Sequence, residues 1–568
     1  METEKEGLDS YWSLSEFKYD KENGIFVSPE QRVHTINYSD GPKTEDYILN
    51  AIKNAKEINN DSEELMHAVK DWPSYYHLGI GRSNILKCLE LSDNIKILEF
   101  GSGCGATTRY LGENFELVDA IEGSPLRAQI TRERCRDLEN VRVICSNVKH
   151  IKFAPIYDIV TLIGVLEYAP LYITDQINVK ESCLSLLKLA KTALSENGAL
   201  IIAIENKIGL KYWSGCPEDH TRKMFDSLHG YTGNRILATF SKKELEALLK
   251  ATGFSNISFY YCFPDYKFAS TIFSDIGIEK GYYLHNWIDV PFISYNLQRD
   301  HIFHEGLVNK TLYEAELLGE FANSFLVVAS QGKSDIIKKS DWIAKKFSLK
   351  RRKKFSCITT ARINQKPYIE KKRIFGDKEN HIIVSNKIKI KQIVNDSPWY
   401  EGDLLTIDIF KAICENNFKR KLLEILEIYH KELINRYYTG MDDEEGYPLL
   451  KGESFDFHFG NLIKNRTGKL YHIDTEWVAE KYIPADFVIY RAIIYDITSE
   501  RQRPWMRKRI RNTKKFTIEL IKSFFPNYGK KRNNKNKLLE DSFQDLVMVR
   551  TGLHHKTLTK KFKFLRKK

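Results

Sequence analysis

The stretch Ile97-Leu-Glu-Phe-Gly-Ser-Gly-Cys-Gly105 constrains the fold more than any other part of the sequence. An apolar run enters a turn with glycine at every second position, and a segment of helical character follows from Ala106. Glycine permits positive φ angles and close approach of a ligand to the backbone, while the N-terminus of a following helix offers unpaired N–H groups. The next apolar run ends at Glu122, a carboxylate suited to a ribose diol. This spacing predicts a nucleotide-type cofactor site.

The pattern of apolar runs around this turn predicts the fold class. From about residue 76, short apolar runs alternate with segments of helical periodicity, which indicates a parallel sheet with crossover helices. Strands are predicted at 96–100, 117–121, 141–144, 157–163, 199–204, 256–262 and 325–329. Helices are predicted at 106–113, 124–136, 179–195 and 242–252. The predicted class is α/β, with a Rossmann-like seven-stranded sheet.

The acidic residue ahead of the glycines narrows the choice of cofactor. Dinucleotide-binding folds use Gly-x-Gly-x-x-Gly to cradle a pyrophosphate, whereas the spacing here is Gly-x-Gly-x-Gly after Glu99. An acid in this turn suits an ammonium group better than a phosphate. The pattern resembles motif I of the class I S-adenosylmethionine-dependent methyltransferases. That resemblance implies S-adenosylmethionine as cofactor and the seven-stranded methyltransferase sheet.

The same resemblance assigns roles to individual residues. The backbone of the glycine turn would lie along the methionine and ribose, Glu99 would support the turn and the amino group, and Glu122 would bind the ribose hydroxyls. Asn147 stands where such enzymes usually carry an acidic residue near the adenine. The implied cofactor-binding residues are Glu99, Gly101, Ser102, Gly103, Gly105, Glu122, Asn147, Val148 and Gly164.

The loop after the fourth predicted strand, Gly164-Val-Leu-Glu-Tyr168, bears on the methyl acceptor. It has neither the Asn/Asp-Pro-Pro-aromatic pattern of enzymes that methylate adenine amines nor the Pro-Cys pattern of cytosine C5 methylation. An oxygen of a hydroxyl, carboxylate or phosphate is therefore the expected acceptor, and the expected reaction is an in-line displacement assisted by one general base. The candidates for this base are His77, Glu167, Tyr168 and His220.

Three further segments, at 72–78, 204–215 and 263–266, extend the resemblance. Together they look like a group of bacterial methyltransferases found with surface-polysaccharide and glycosyltransferase genes, and the resemblance covers nearly the whole chain. It implies a sugar or glycan acceptor and a part in polysaccharide biosynthesis. The first segment would cap the cofactor, and the Glu205-Asn206 loop would line the acceptor pocket.

A second motif lies in the C-terminal half. Asp456-Phe-His-Phe-Gly-Asn461, followed by Tyr471-His-Ile-Asp-Thr-Glu476, resembles the catalytic and metal loops of kinase-like phosphotransferases. The resemblance implies a smaller α+β kinase-like domain that uses ATP and Mg²⁺. Asp456 would orient a hydroxyl, and the metal ligands would be Asn461 and Asp474. The nucleotide-binding pair would be Lys371 and Glu379.

The kinase-like motif departs from the family pattern in two places. The segment 355–361 ahead of Lys371 contains no glycine, and Glu453-Ser-Phe rather than His-Arg precedes Asp456. Both an active phosphotransferase and a degenerate domain that only binds a ligand stay open. If the domain is active, the resemblance to bifunctional enzymes that cap glycan chains implies phosphorylation of a sugar followed by methylation.

Segment composition predicts the domain organisation. The predicted parts are an N-terminal extension at 1–70, a methyltransferase domain at 71–331, a basic linker at 332–354, a kinase-like domain at 355–529 and a basic tail at 530–568. The net charge of +12 is concentrated near the C-terminus, since residues 501–568 contain 22 Lys and Arg against four acids. Any binding of a polyanion is therefore expected at the tail and not over the whole molecule.

Several functional classes stay open or are excluded. The alternatives are an RNA methyltransferase whose tail holds the polyanion, and a cofactor-binding scaffold with a pseudokinase half. Aromatic residues among the tail lysines fit an anionic membrane surface at least as well as RNA. The acidic start, the lack of an apolar run of about 18 residues and nine scattered cysteines predict a cytoplasmic protein with reduced thiols, peripheral to the membrane at most. His301-x-x-His304 and His554-His555 are interpreted as surface histidines, and no metal beyond Mg²⁺ is expected.

Overall fold

The computed structural model of the chain describes residues 17–28, 39–173, 178–233, 237–295, 299–334, 336–337, 341–376, 382–384, 389–499, 502–506 and 509–549. Its strands are β1 Lys18–Asp20, β2 Ile25–Val27, β3 Lys96–Phe100, β4 Leu117–Glu122, β5 Val141–Cys145, β6 Tyr157–Ile163, β7 Leu194–Glu205, β8 Asn256–Phe263, β9 Thr271–Ser274, β10 Ser324–Ser330, β11 Trp342–Phe347, β12 Cys357–Asn364, β13 Lys366–Arg373, β14 Ile382–Val384, β15 Lys389–Gln392, β16 Ser397–Pro398, β17 Asp403–Leu404, β18 Tyr438–Asp442, β19 Pro448–Leu450, β20 Leu462–Lys464, β21 Leu470–His472, β22 Trp477–Ala479 and β23 Ile483–Pro484.

The described helices follow the predicted positions closely in the first half of the chain. They are α1 Pro42–Asn54, α2 Glu63–His67, α3 Trp72–Leu78, α4 Asn84–Lys87, α5 Ala106–Asn114, α6 Pro125–Arg134, α7 Ala169–Tyr172, α8 Val179–Ala193, α9 Leu210–Trp213, α10 Lys242–Ala251, α11 Asp275–Lys280, α12 Glu305–Glu314, α13 Thr406–Cys414, α14 Phe418–Tyr437, α15 Ala485–Asp496, α16 Arg503–Met506, α17 Thr513–Lys522 and α18 Lys530–Val547. Short 3-10 turns lie at Val148–His150, Leu166–Tyr168, Tyr266–Phe268, Leu284–Trp287, Lys353–Phe355, Gly452–Asp456 and Phe459–Asn461.

The core of the N-terminal half is a mostly parallel sheet with the strand order β5-β4-β3-β6-β7-β10-β8. Strand β10 runs antiparallel between β7 and β8, and the other neighbouring pairs are parallel. Adjacent residues along β3, such as Ile97 and Leu98, belong to separate buried clusters. Successive side chains of a strand point to opposite faces, so the sheet is covered on both sides. The predicted Rossmann-like methyltransferase sheet is confirmed.

The sheet does not stop at β8. It continues through β9, β11, β12 and β13 to β16, while β2 and β1 extend the opposite edge. The predicted linker at 332–354 therefore contains a strand of the sheet, β11. The lysines of this segment suggest a solvated connection, but the Lys345 ammonium is buried, with Nζ 2.9 Å from the carbonyl oxygen of Cys88 and 3.3 Å from Glu90. The predicted N-terminal extension likewise supplies β1, β2 and α1 to this half.

The C-terminal half surrounds its own buried cluster with three small sheets and six helices of the described chain, α13 to α18. Helix α18 packs here through Phe543 and Val547, and Arg532 pairs with the buried carboxylate of Asp486. The predicted basic tail at 530–568 therefore begins with a helix of the folded body. Residues 550–568 lie outside the described residues. In the described part of the chain, no helix combines the length and apolarity that a membrane span requires.

Candidate functional site

The glycine turn after β3 has the backbone conformation that the sequence predicts. The φ angles of Gly101, Gly103 and Gly105 are 74°, 57° and 76°. The turn is held to β4, because the N–H of Gly101 donates to the carbonyl oxygen of Ile121 over 2.9 Å. A Cβ at Gly101 would lie 2.8 Å from Cγ2 of Val165. Glycine is therefore required here by both the backbone angle and the space.

Glu122 at the end of β4 holds this turn in place. Its Oε2 accepts a hydrogen bond from the N–H of Gly103 over 2.7 Å, and its Oε1 accepts one from the N–H of Ser124 over 2.9 Å. Burial raises the pKa of Glu122, and the positive charge of Arg127 opposes that shift. The side chain also lines the adjacent cavity, as its predicted ribose contact requires.

Glu99 supports the turn but does not line the cavity. Its buried carboxylate accepts hydrogen bonds from the hydroxyls of Thr107, over 2.6 Å, and Thr108. Burial raises the pKa of Glu99 to about 7, and these hydroxyls oppose the shift. The structure therefore agrees with the predicted support of the turn. The predicted contact with the cofactor's amino group does not follow from the position of this side chain.

Three of the other predicted cofactor residues line the same cavity, and one does not. Asn147, Val148 and Gly164 line the cavity, whereas Ser102 is turned away, with Oγ 3.2 Å from Oγ1 of Thr131. The Asn147 amide donates to the carbonyl oxygen of Tyr172 and accepts from the N–H of Lys149. Its side chain thus fixes the loop after β5 while it faces the cavity.

Asp40 of the N-terminal segment also lines the cavity, although the sequence motifs did not indicate it. Asp40 Oδ2 lies 2.9 Å from Nε2 of His77 and 2.7 Å from a guanidinium nitrogen of Arg127. Burial lowers the pKa of His77, and the hydrogen bond to Asp40 opposes that shift. This predicted base is therefore held against an acid near the glycine turn. Asp40 and Arg127 are 87 positions apart, so no local pattern links them.

The other three predicted base candidates lie close to one another. Nδ1 of His220 is 2.9 Å from the Tyr168 hydroxyl, and Nε2 is 3.2 Å from Oε2 of Glu205. Glu167 is fully buried beside them, and burial together with the charge of Glu205 raises its pKa well above the ordinary value. Lys267 donates to the second oxygen of Glu205. This lysine was not predicted, and Glu205 was expected only as part of the loop after the fifth predicted strand.

One cavity of about 520 Å³ is lined by Gly101, Gly103, Glu122 and the four predicted base candidates. The cavity joins the glycine turn and Glu122 on one side to Glu167, Tyr168 and His220 on the other. Trp72 and Tyr76 of α3 also line it, in agreement with the predicted cap over the cofactor. The cavity thus brings a cofactor cradle and a cluster of acid–base groups within one space.

A second cavity of about 320 Å³ lies in the C-terminal half. Lys371 on β13 donates to both Asp474 and Glu476, the latter over 2.6 Å, and all three line the cavity with Asn461. The positive charge of Lys371 lowers the pKa of Asp474 despite burial. Glu379, the predicted partner of Lys371, lies outside the described residues. The acidic partners of Lys371 that the structure shows are Asp474 and Glu476.

Asp456 lies behind this cavity and does not line it. Its Oδ2 accepts a hydrogen bond from the N–H of Trp477 over 2.6 Å, and Oδ1 is 3.6 Å from Arg491. Burial raises the pKa of Asp456 to about 6, although the charge of Arg491 opposes the shift. The predicted hydroxyl-orienting residue is thus buried and engaged by the chain itself.

The sheet order and the glycine cradle define the N-terminal half as a class I S-adenosylmethionine-dependent methyltransferase domain. Residues 79–258 match a family model described as a methyltransferase domain. No curated protein matches the chain. The chain therefore contains an S-adenosylmethionine-dependent methyltransferase domain, and a further C-terminal half follows it.

Solved structures of methyltransferases are similar to this chain at low identity. A methyltransferase of Thermotoga maritima is 15% identical, with a TM-score of 0.26, and the match covers 44% of this chain and 88% of that one. A phosphoethanolamine N-methyltransferase of Haemonchus contortus is 17% identical, with a TM-score of 0.27, over 44% of this chain and 52% of that one.

Proposed function

We propose that this protein transfers the methyl group of S-adenosylmethionine to an oxygen atom of a sugar, a glycan or a phosphorylated glycan. The observation that carries the proposal is the shared cavity, in which the glycine cradle faces Glu167, Tyr168 and His220. Carboxylate, phenol, imidazole and ammonium groups on one wall suit an acceptor with several hydroxyl groups, because each can donate or accept a hydrogen bond. An apolar acceptor would leave the buried carboxyl group of Glu167 without a partner.

Methyl transfer to a hydroxyl releases one proton, and the acceptor wall contains groups that can take it up. In-line displacement depends mainly on placing the acceptor oxygen opposite the sulfonium methyl group. The hydrogen-bonded row from Tyr168 through His220 to Glu205 fixes the orientation of this wall. His77 is already paired with Asp40 on the cofactor side, so we assign the acceptor role to the Tyr168–His220 wall.

A methyl-transfer assay tests this function. The full-length protein is incubated with S-adenosylmethionine labelled in the methyl group and with sugars, sugar phosphates, bacterial glycans or RNA. We expect label in a sugar or glycan, and loss of that label in Gly101→Ala but not in the control Gly332→Ala, where a Cβ meets no atom within 4 Å. Label in RNA alone would support the RNA methyltransferase and refute the glycan proposal.

We also propose phosphoryl transfer from ATP, assisted by Mg²⁺, for the C-terminal half. The observation in its favour is the group of Lys371, Asp474 and Glu476, which lines the second cavity together with Asn461. A lysine paired with acids, beside an amide and a carboxylate, supplies the residue types that hold a nucleotide phosphate and its metal. If the activity is present, a phosphorylated sugar would be the natural acceptor for the methyl group. Absence of any nucleotide binding would favour the scaffold alternative.

For residues 550–568 we propose contact with an anionic membrane surface from the cytoplasmic side. This segment contains eight Lys and Arg, no acid, and the aromatic residues Phe562 and Phe564. Basic residues are attracted to anionic lipid headgroups, and aromatic rings favour the interface. Such contact would hold the enzyme near membrane-linked glycans without any transmembrane segment.

A further inference from the structure

Three donor groups converge at the acceptor wall of the methyltransferase cavity. One oxygen of Glu167, one oxygen of Glu205 and one ring nitrogen of His220 all lie within 4.8 Å of one another. They come from different elements: Glu167 from the turn after β6, Glu205 from the end of β7, and His220 from the loop after α9. The carboxyl ends of β6 and β7 meet at the same edge of the sheet, so the fold itself brings these side chains together.

Glu167 supplies a second, independent observation at this point. Its side chain is fully buried, and neither carboxyl oxygen has a hydrogen-bond partner among the side chains and backbone groups of the described residues. It nevertheless lines the cavity. Buried carboxyl groups are almost always hydrogen-bonded, ion-paired or bound to a metal, because an unpartnered one is costly. Glu167 is therefore aimed at a partner that the described residues do not provide.

The neighbouring lysines do not satisfy Glu167. Lys267 pairs with Glu205 and Asp219, and Lys211 pairs with Asp219 and Asp265. No ion pair within the described chain joins either lysine to Glu167. Lys267 contacts Oε1 of Glu205, whereas Oε2 is the oxygen that faces His220. Oε2 of Glu205 is therefore the oxygen that lies with His220 Nε2 in the group of three donors.

The outer contacts of His220 also suit a ligand role. Its Nε2 faces Glu205, and its Nδ1 lies 2.9 Å from the Tyr168 hydroxyl. Histidine ligands commonly donate their second ring N–H to an oxygen, which fixes the ring orientation. Tyr168 is placed to accept that bond when Nε2 binds a cation.

From this geometry we propose that Glu167, Glu205 Oε2 and His220 Nε2 form a binding site for a divalent cation of the Mg²⁺ or Mn²⁺ class, open towards the acceptor. Two carboxylates and one imidazole are ligands for hard or borderline divalent cations. Because Glu167 and His220 line the cavity, the remaining coordination positions would be open to oxygen atoms of the acceptor. That use of the cation rests on the proposed methyl transfer, whereas binding of the cation does not.

The experiment uses the full-length protein carrying Asp474→Asn, which removes a proposed metal ligand of the second cavity. Mn²⁺ is titrated without nucleotide, and the electron paramagnetic resonance signal of the free ion is followed. We expect one bound Mn²⁺ per chain, and at least tenfold weaker binding when Glu167→Gln is added. Glu246→Gln is the control, because Glu246 lies outside the proposed site and its half-buried carboxylate pairs with Lys250 on α10. Failure to bind Mn²⁺, or unchanged affinity in Glu167→Gln, would overturn the proposal.

A second measurement decides the matter if Glu167→Gln does not fold. Pulsed electron paramagnetic resonance of the bound Mn²⁺ should detect the ¹⁴N nucleus of one imidazole, and His220→Gln should remove that coupling. Bound Mn²⁺ without nitrogen coupling would overturn the assignment. Mn²⁺ binding without methyl transfer to any acceptor would refute the proposed function and leave the cation site intact.

Discussion

The carboxylate of Glu122 and the backbone N–H of Gly103 form a hydrogen bond, with 2.7 Å between Oε2 and N. One side chain thus shapes the turn and faces the cavity in which we expect the cofactor ribose. Replacement therefore removes a direct contact and loosens the cradle at the same time.

We expect Glu122→Ala to weaken S-adenosylmethionine binding by at least tenfold, which corresponds to about 1.4 kcal/mol. Glu122→Gln should lose less, since its amide oxygen can still accept from Gly103. Isothermal titration calorimetry gives both affinities, with Glu246→Ala as a surface control. Equal affinities of Glu122→Ala and the wild type would show that Glu122 does not contribute to the cofactor site.

Asp474→Asn should abolish the stabilisation of the C-terminal half by ATP and Mg²⁺. The carboxylate lines the second cavity beside Lys371, and the amide that replaces it carries no charge for a metal. Thermal unfolding with and without ATP and Mg²⁺ measures the effect. Asp541→Asn is the control, since Asp541 is exposed and pairs with Lys537 on α18. A wild type with no nucleotide-dependent shift would indicate an inert domain.

Truncation before α18 should destabilise the protein, whereas truncation after it should not. Removing residues 530–568 exposes the partners of Phe543 and Val547, and burial of each such side chain contributes about 1.5–3 kcal/mol. Denaturant unfolding of the chain ending at Gly529 and of the chain ending at Val549 compares the two. Equal free energies of unfolding would contradict the packing of α18.

The chain ending at Val549 should also bind anionic vesicles less tightly than the whole chain. It lacks a segment whose only charged residues are Lys and Arg, so the attraction to phosphatidylserine decreases. Co-sedimentation with phosphatidylserine vesicles measures this, with phosphatidylcholine vesicles as the control. Identical sedimentation of both chains would refute the proposed membrane contact.

His304 predicts a specific dependence of stability on pH. It was expected on the surface, but its ring is buried between Trp505, at 4.1 Å between ring centroids, and Phe410, at 4.4 Å. Burial lowers the pKa of His304 to about 4, although the hydrogen bond to Gln502 opposes the shift. The unfolded chain therefore binds a proton below about pH 6.5 that the folded chain does not bind until about pH 4.

The free energy of unfolding should accordingly decrease as the pH falls from 6.5 to 4. Protonation of His304 accounts for up to about 3 kcal/mol of this decrease. Above pH 6.5 the ring of His304 is neutral in both the folded and the unfolded chain, so this loss of stability is absent there. His304→Gln removes the titrating group and should flatten this part of the curve of unfolding free energy against pH. An unchanged slope in His304→Gln would show that other groups cause the dependence.

The central sheet was predictable because parallel strands buried on both faces leave continuous apolar runs in the sequence. The glycine turn also shows where the carboxyl end of one of these strands lies. The strand at Trp342–Phe347 was not predictable in the same way. Lysine usually indicates solvent, and only the distant partners of Lys345 explain its burial. The packing of helix α18 was not predictable for the same reason. Its buried residues include Arg532, which pairs with an acid elsewhere in the sequence, and Glu540, which pairs with a distant arginine.

The candidate site was also predictable where a local motif forms it and not where tertiary contacts do. The cradle follows from a local motif, and Glu167, Tyr168 and His220 were predicted as single candidates. Their assembly with Glu205 depends on tertiary contacts that no spacing encodes, as does the pairing of His77 with Asp40.

Titration of S-adenosylmethionine into the full-length wild type, Gly101→Ala and Gly332→Ala tests the central claim most directly. A Cβ at Gly101 would collide with Val165, and a residue with a Cβ rarely adopts the φ of 74° that Gly101 has. A Cβ at Gly332 would meet open space. We expect one cofactor bound per chain in the wild type and Gly332→Ala, and binding at least tenfold weaker in Gly101→Ala. Absence of binding by the wild type, or equal affinity in all three proteins, would contradict it.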